Sequence, residues 1–168
     1  MTLTLLLGGA RAGKSALAVR RARAFGGPVV FVATAEAGDA EMAERIARHR
    51  EERDSAWATV EAPRDLAGAL ERAPADACVI VDCLTLWVAN RLDEGEAEIV
   101  RLAGEAAALA AARPGPTIAV SNEVGMGVVP ATPSGRLYRD VLGRVNAVWA
   151  EAASEAALVV AGRPLWLS

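Results

Sequence analysis

Short apolar runs alternate with longer amphipathic segments along almost the whole chain. The runs are rich in Val, Ile and Leu, and they predict β-strands at residues 3–7, 29–33, 78–82, 117–121 and 157–161. The intervening segments predict helices at about 14–25, 39–53, 64–73, 83–112 with a break near Gly95, and 135–154. Near-continuous apolar strands separated by helices are typical of a mostly parallel sheet with helices on both faces, so an α/β fold is expected.

A glycine-rich segment joins the first predicted strand to the first predicted helix. It runs Gly8-Gly9-Ala10-Arg11-Ala12-Gly13-Lys14-Ser15 and fits the phosphate-binding pattern G-x-x-x-x-G-K-[ST]. Its backbone N–H groups would surround phosphate oxygens, Lys14 would reach the β and γ phosphates, and the Ser15 hydroxyl would ligate Mg²⁺. The segment therefore predicts a fold of the P-loop NTPase type, and a plain glycine-rich turn is the alternative.

Composition supports a specific role for that lysine. Lys14 is the only lysine among 18 Lys and Arg residues, so the alternative of one surface cation among many loses weight. The net charge of −3 gives no general basic field, which makes nucleic acid an unexpected partner. A length of 168 residues predicts a single nucleotide-binding domain over residues 1–168.

The sequence also favours a reduced, cytoplasmic environment. The segment before the glycines lacks the features of a signal peptide, and no apolar run approaches the roughly 18 residues that span a bilayer. Cys78 and Cys83 would lie on opposite faces of one strand, which disfavours a disulfide between them.

Ligands of such sheets bind beyond the carboxyl ends of the strands, so the residues found there are candidate site residues. Asp82 ends an apolar strand, the pattern by which these folds place a carboxylate beside Mg²⁺; a helix N-cap is the alternative. Thr34, Ala35 and Glu36 follow another strand. These positions are expected to share one edge of the sheet with the glycine-rich loop.

The chain has a single histidine, His49, on the helix predicted at 39–53. At 100° per residue it shares a face with Met42, Ile46 and Arg53. An imidazole near bound phosphate would serve as base or nucleophile, whereas a lone histidine on a helix is often inert. The residue pattern leaves both interpretations open.

A long loop is predicted after the strand at 117–121. The stretch from Ser121 to Pro130 contains two closely spaced glycines and a proline, which favours an ordered loop at the functional edge. Its acid and amide would contact nucleotide, metal or a second substrate; a plain connection is the alternative.

Several separated segments together resemble one family, the bifunctional adenosylcobinamide kinase and adenosylcobinamide-phosphate guanylyltransferase of cobalamin biosynthesis. The resemblance covers essentially the whole chain. The segments that carry it include Gly8–Arg11 with Gly13–Ser15, Ala33–Ala35, Arg45-Ile46 with His49-Arg50 and Arg53, Val81–Trp87 with Asn90, and Asn122–Gly125 through Pro130.

The resemblance implies two reactions. In the first, ATP or GTP phosphorylates the hydroxyl of adenosylcobinamide; in the second, GMP passes from GTP through a histidine to adenosylcobinamide phosphate. By motif, His49 corresponds to that nucleophile, and Mg²⁺ would assist at Ser15 and Asp82. The family forms homotrimers. The nucleotide contacts that carry over are Gly8, Gly9, Ala10, Arg11, Ala12, Gly13, Lys14, Ser15, Thr34, Ala35, Glu36, Arg50, Glu51, Glu52, Arg53, Glu61 and Asp82.

Two other classes of function remain compatible with the residues themselves. A small-molecule kinase would need Lys14, Ser15 and Asp82 but not His49. A non-catalytic nucleotide switch would use the loop after Ser121 to report bound nucleotide to a partner.

Overall fold

The computed structural model describes residues 2–36 and 54–167. The helix predicted at 39–53, with His49 and the arginines beside it, lies outside the described residues. The described strands are β1 (Leu3–Leu7), β2 (Val29–Ala33), β3 (Ala58–Glu61), β4 (Cys78–Asp82), β5 (Thr117–Val120), β6 (Glu155–Val160) and β7 (Arg163–Leu167). The described α-helices are α1 (Lys14–Phe25), α2 (Leu66–Arg72), α3 (Leu84–Ala89), α4 (Glu96–Ala112) and α5 (Pro133–Ala152).

The seven strands form one sheet in the order β3-β2-β4-β5-β1-β6-β7. Every neighbouring pair is parallel except β6 and β7, which pair antiparallel at one edge. The prediction of a mostly parallel α/β sheet is confirmed. Parallel pairing directs the carboxyl ends of β1 to β6 toward one edge of the sheet.

The sheet is covered on both faces, as the apolar strands predict. Alternate residues of β4 divide between two cores: Val79 and Val81 pack on one side, and Cys78 and Ile80 on the other. The first core includes side chains of α2, α3, α4 and α5, and the second includes side chains of α1. The period of two along a strand thus directs successive side chains into opposite layers.

Two strands are absent from the sequence-based prediction, and both lie at edges of the sheet. β3 has a single strongly apolar residue, Val60, and most of its residues are exposed. β7 is exposed along its whole length and contains Pro164, which an edge strand tolerates because it makes fewer ladder hydrogen bonds. Edge strands lack the continuous apolar pattern that burial on two faces imposes on central strands.

Other boundaries differ by a few residues from the prediction. The helical stretch expected at 83–112 is divided into α3, a short 3₁₀ turn at Leu92–Glu94, and α4, and the break falls at Gly95 as predicted. Cys78 and Cys83 are both free thiols, in agreement with the sequence. Within the described part of the chain, no helix is long and apolar enough to cross a membrane.

Candidate nucleotide-binding site

The glycine-rich loop lies at the carboxyl end of β1 and leads directly into α1. Gly13, with a φ of 95°, immediately precedes the first helical residue, Lys14. The Lys14 side chain is buried, and its Nζ donates hydrogen bonds to the carbonyl oxygens of Gly8 at 3.0 Å and Gly9 at 2.6 Å. The ammonium is therefore held against the loop at the N-terminus of a helix, where anions bind.

The turn between β6 and β7 packs against this loop. Gly162 N donates to the carbonyl of Ala12 at 2.8 Å, and a Cβ on Gly13 would lie 3.0 Å from the Gly162 Cα. Ala161 and Gly162 have φ angles of 50° and 77°, which suit a two-residue hairpin turn. This support is absent from the sequence-based prediction. The signal available was the Ala-Gly pair between two apolar runs.

Replacing Gly8 with alanine should destabilise the protein. A Cβ at this position would lie 2.4 Å from the carbonyl oxygen of Val159, and the backbone φ is 152°. The backbone of Gly8 and that of Val159 must therefore move apart. We expect Gly8→Ala to lower the free energy of unfolding by roughly 2 kcal/mol, within the range measured for overpacked sites. Urea denaturation measures the change.

Gly9→Ala is the matched control for that substitution. Gly9 is the next residue of the same loop, and a Cβ there would meet nothing within 4 Å. Its urea midpoint should stay close to that of the wild type. If Gly8→Ala were as stable as Gly9→Ala, the close packing of the loop on β6 would be of no consequence for stability.

The register of the sheet places several predicted site residues at the same edge of the sheet. Ala33 at the end of β2 pairs with Glu61 on one side and Asp82 on the other. Asp82 in turn pairs with Val120, which pairs with Leu6 just before the glycine-rich loop. Glu61, Asp82 and the segment Thr34–Glu36 thus share the edge at which the loop lies.

Thr34 is completely buried and joins the ends of β2 and β4. Its hydroxyl donates to the Cys83 carbonyl at 2.7 Å and accepts from the Cys83 N–H at 2.8 Å. The Asn90 amide donates to the carbonyls of Thr34 at 2.8 Å and Pro63 at 3.1 Å. The Thr34 side chain therefore shapes the edge, while Ala35 is half-buried and Glu36 exposed.

Asp82 is the last residue of β4 and directly precedes the N-terminus of α3. The N-cap of α3 is Cys83, reached through a cis peptide bond after Asp82, so the N-cap alternative for Asp82 is wrong. Burial, followed by the charge of Asp82, raises the pKa of the Cys83 thiol to about 11. The register from Asp82 through Val120 to Leu6 places the end of β4 at the same edge of the sheet as the phosphate loop.

The donor chemistry at this edge fits Mg²⁺. Mg²⁺ is held by one or two protein oxygens together with substrate phosphates, and the Ser15 hydroxyl and Asp82 carboxylate are oxygen donors of that kind. In residues 2–36 and 54–167 no group of three or more His, Cys, Asp or Glu side chains is placed to hold a metal ion.

The loop between β5 and α5 is tied to the phosphate loop at its start. Glu123 N donates to the Gly8 carbonyl at 3.1 Å, and Asn122 N donates to the Thr85 hydroxyl at 2.7 Å. The Asn146 amide of α5 donates to the Asn122 carbonyl at 3.0 Å. The long loop predicted after Ser121 is confirmed, and its first residues are hydrogen-bonded to the glycine-rich loop and to α5.

Fold and loop together define a P-loop NTPase-like α/β protein. The chain also matches, over residues 4–167, the family described as cobinamide kinase / cobinamide phosphate guanyltransferase. It therefore belongs to that family, which confirms the resemblance drawn from its segments, and it is an enzyme of the transferase class.

Curated relatives cover nearly the same length. The bifunctional adenosylcobalamin biosynthesis protein CobP of Pseudomonas aeruginosa is 46% identical over 165 residues, covering 96% of this chain and 94% of its own. The corresponding CobU protein of Escherichia coli is 38% identical over 178 residues, covering 95% and 96%. Among solved structures, the flagellar accessory protein FlaH of Methanocaldococcus jannaschii is 16% identical with a TM-score of 0.48, covering 97% of this chain and 74% of its own.

Proposed function

We propose that this enzyme phosphorylates adenosylcobinamide with ATP or GTP and then transfers GMP from GTP to adenosylcobinamide phosphate. The observation that carries the proposal is the phosphate loop, with the Lys14 ammonium held 2.6 Å from the Gly9 carbonyl at the start of α1. Both reactions use a nucleoside triphosphate, so both need its phosphates bound at such a loop.

In the kinase reaction the acceptor hydroxyl of adenosylcobinamide attacks the γ-phosphorus. The bond between that phosphorus and the β–γ bridging oxygen breaks, the nucleoside diphosphate leaves, and the hydroxyl proton is lost to solvent. Lys14 and the loop N–H groups hold the phosphates and offset negative charge. Ser15 and Asp82 would hold Mg²⁺, which when bound neutralises charge on the β and γ phosphates.

In the guanylyl transfer a neutral imidazole nitrogen of His49 attacks the α-phosphorus of GTP. The bond to the bridging oxygen breaks, pyrophosphate leaves, and GMP is held on the histidine as a phosphoramidate. A phosphate oxygen of adenosylcobinamide phosphate then attacks the same phosphorus, giving adenosylcobinamide-GDP and free His49. Arg50 and Arg53 would stabilise the charge that develops on the phosphate oxygens.

The remaining nucleotide contacts belong to the same proposal. Glu61 and Asp82 both pair with Ala33, and Ala35 and Glu36 follow Ala33 at the same edge of the sheet, where the base or ribose of a nucleotide on the phosphate loop would extend. Glu51 and Glu52, beside Arg50, come from the family resemblance. The homotrimeric assembly implied by that resemblance and the cytoplasmic location inferred from the sequence also remain proposals.

Labelled GTP tests the covalent step. Purified protein with Mg²⁺ and GTP labelled at the α-phosphorus should retain label after denaturation, stable to alkali and lost in acid, as a phosphoramidate is. GTP labelled at the γ-phosphorus is the control and should leave no label, because that phosphorus departs in pyrophosphate. Folded protein that binds GTP but takes up no α-label would favour a kinase without guanylyl transfer.

A further inference from the structure

The middle of the loop between β5 and α5 exposes three apolar side chains, which we name the apolar tip. Met126 is 77% exposed, Val128 96% and Val129 60%. Apolar side chains grouped on a loop at the ligand-binding edge of a sheet commonly form a binding surface.

Hydrogen bonds hold the loop on both sides of the apolar tip. Its start is held by the Glu123 hydrogen bond to Gly8 and by Asn146. Its end is held by Arg136, which donates to the carbonyls of Pro130 at 3.1 Å and Ala131 at 2.9 Å. A surface held in this way is preorganised and loses little conformational entropy when it binds.

Only a short stretch of chain separates the apolar tip from the residue that is hydrogen-bonded to the phosphate loop. Val128 is five residues beyond Glu123, so their separation is at most roughly 18 Å at ~3.5 Å per residue. An acceptor hydroxyl must approach the phosphorus to about 3–3.5 Å for transfer. The body of an acceptor bound at the phosphate loop therefore extends within reach of this loop.

The chemistry of the tip favours contact with apolar groups over contact with phosphate. Glu123 is the only charged residue from Ser121 to Thr132, so the loop offers no cation to a polyphosphate. Phosphates are recognised by cations and N–H donors, and the glycine-rich loop supplies these. A corrin macrocycle carries methyl groups between the amide side chains of its rim, and one arm ends in a hydroxyl, so its methyl-bearing edge matches an apolar surface beside a phosphate site.

We propose that the apolar tip binds the corrin ring of the cobinamide acceptor and so positions its arm at the phosphate loop. This inference rests on the proposed function, because it assigns the acceptor of that reaction to a surface. Contact with Met126, Val128 and Val129 sets the affinity for cobinamide, while the nucleotide is held by the loop at residues 8–15.

Serine substitutions test the tip. Val128→Ser and Met126→Ser should each weaken cobinamide binding on the order of tenfold, which follows from the loss of one buried apolar side chain. Equilibrium dialysis followed by corrin absorbance measures Kd, and kinase assays give the KM values for cobinamide and ATP separately. The KM for ATP should stay within about twofold, a split that general loss of structure would not produce.

Phe25→Ser is the matched control. Phe25 is exposed, at 42%, and lies at the opposite end of α1 from the phosphate loop. It should leave the cobinamide Kd unchanged. Thermal denaturation of all three variants establishes that each is folded.

Each outcome of these experiments supports or overturns a specific part of the proposal. Wild-type protein that binds and phosphorylates cobinamide, with unchanged Kd in both tip variants, overturns the assignment of the tip alone. Tip variants that alter the sedimentation coefficient without altering the cobinamide Kd place the tip between copies of the chain, which also overturns it. Wild-type protein that neither binds nor phosphorylates cobinamide overturns the proposed acceptor, and the tip assignment with it.

Discussion

Lys14→Ala should lose both cobinamide phosphorylation and guanylyl transfer. The loss expected in kcat/KM is on the order of 10³ or more for each reaction, because removing a preorganised charge at developing phosphate charge has effects of that size. Lys14 is buried and its ammonium contacts the Gly8 and Gly9 carbonyls, whereas Arg11, the other cation of the loop, is exposed.

The two activities are measured separately, with labelled ATP and adenosylcobinamide for one and GTP with adenosylcobinamide phosphate for the other. Arg20→Ala is the matched control, since Arg20 is an exposed cation on the same helix. It should retain both activities. Retention of either activity within about tenfold in Lys14→Ala would contradict a shared phosphate site.

His49→Asn should separate the two reactions. Asparagine is similar in size to histidine but offers no nucleophilic nitrogen, so guanylyl transfer should fall by on the order of 10³ or more. Phosphorylation of adenosylcobinamide should stay within about fivefold of the wild type, because the γ-phosphoryl group passes directly to the acceptor.

The paired assays used for Lys14→Ala also serve His49→Asn, and the α-label should disappear from the denatured chain. Lys14→Ala provides the contrast, since it should lose both reactions rather than one. Equal loss of both reactions in His49→Asn, or loss of neither, would show that the proposed division of labour is wrong.

The core strands could be predicted from sequence because burial on two faces makes them nearly continuous apolar runs. β1, β2 and β4 lie at the predicted residues, and β5 and β6 differ by one or two residues at their ends. The two edge strands escaped prediction. Ala58–Glu61 and Arg163–Leu167 are largely exposed, and their pairing depends on neighbours that no local pattern reveals.

The candidate site could likewise be predicted only in part from the sequence. The phosphate loop was evident from residues 8–15, because glycines, lysine and serine at that spacing serve one chemistry. The support from Gly162 was not evident, since it joins residues 150 positions apart through a hydrogen bond to Ala12. The exposure of Val128 likewise depends on how the loop is anchored.

The fold class and the phosphate loop could be predicted from the chain alone, because local periodicity and residue types at fixed spacing specify them, and separated matching segments showed the family resemblance. The assembled sheet was needed to show which strand ends share an edge, that Thr34 binds the backbone of Cys83, and that the loop carrying the apolar tip is bonded to Gly8. These are contacts between distant segments, set by strand order and register. The local sequence pattern does not encode strand order, so strand order is known only from the tertiary structure.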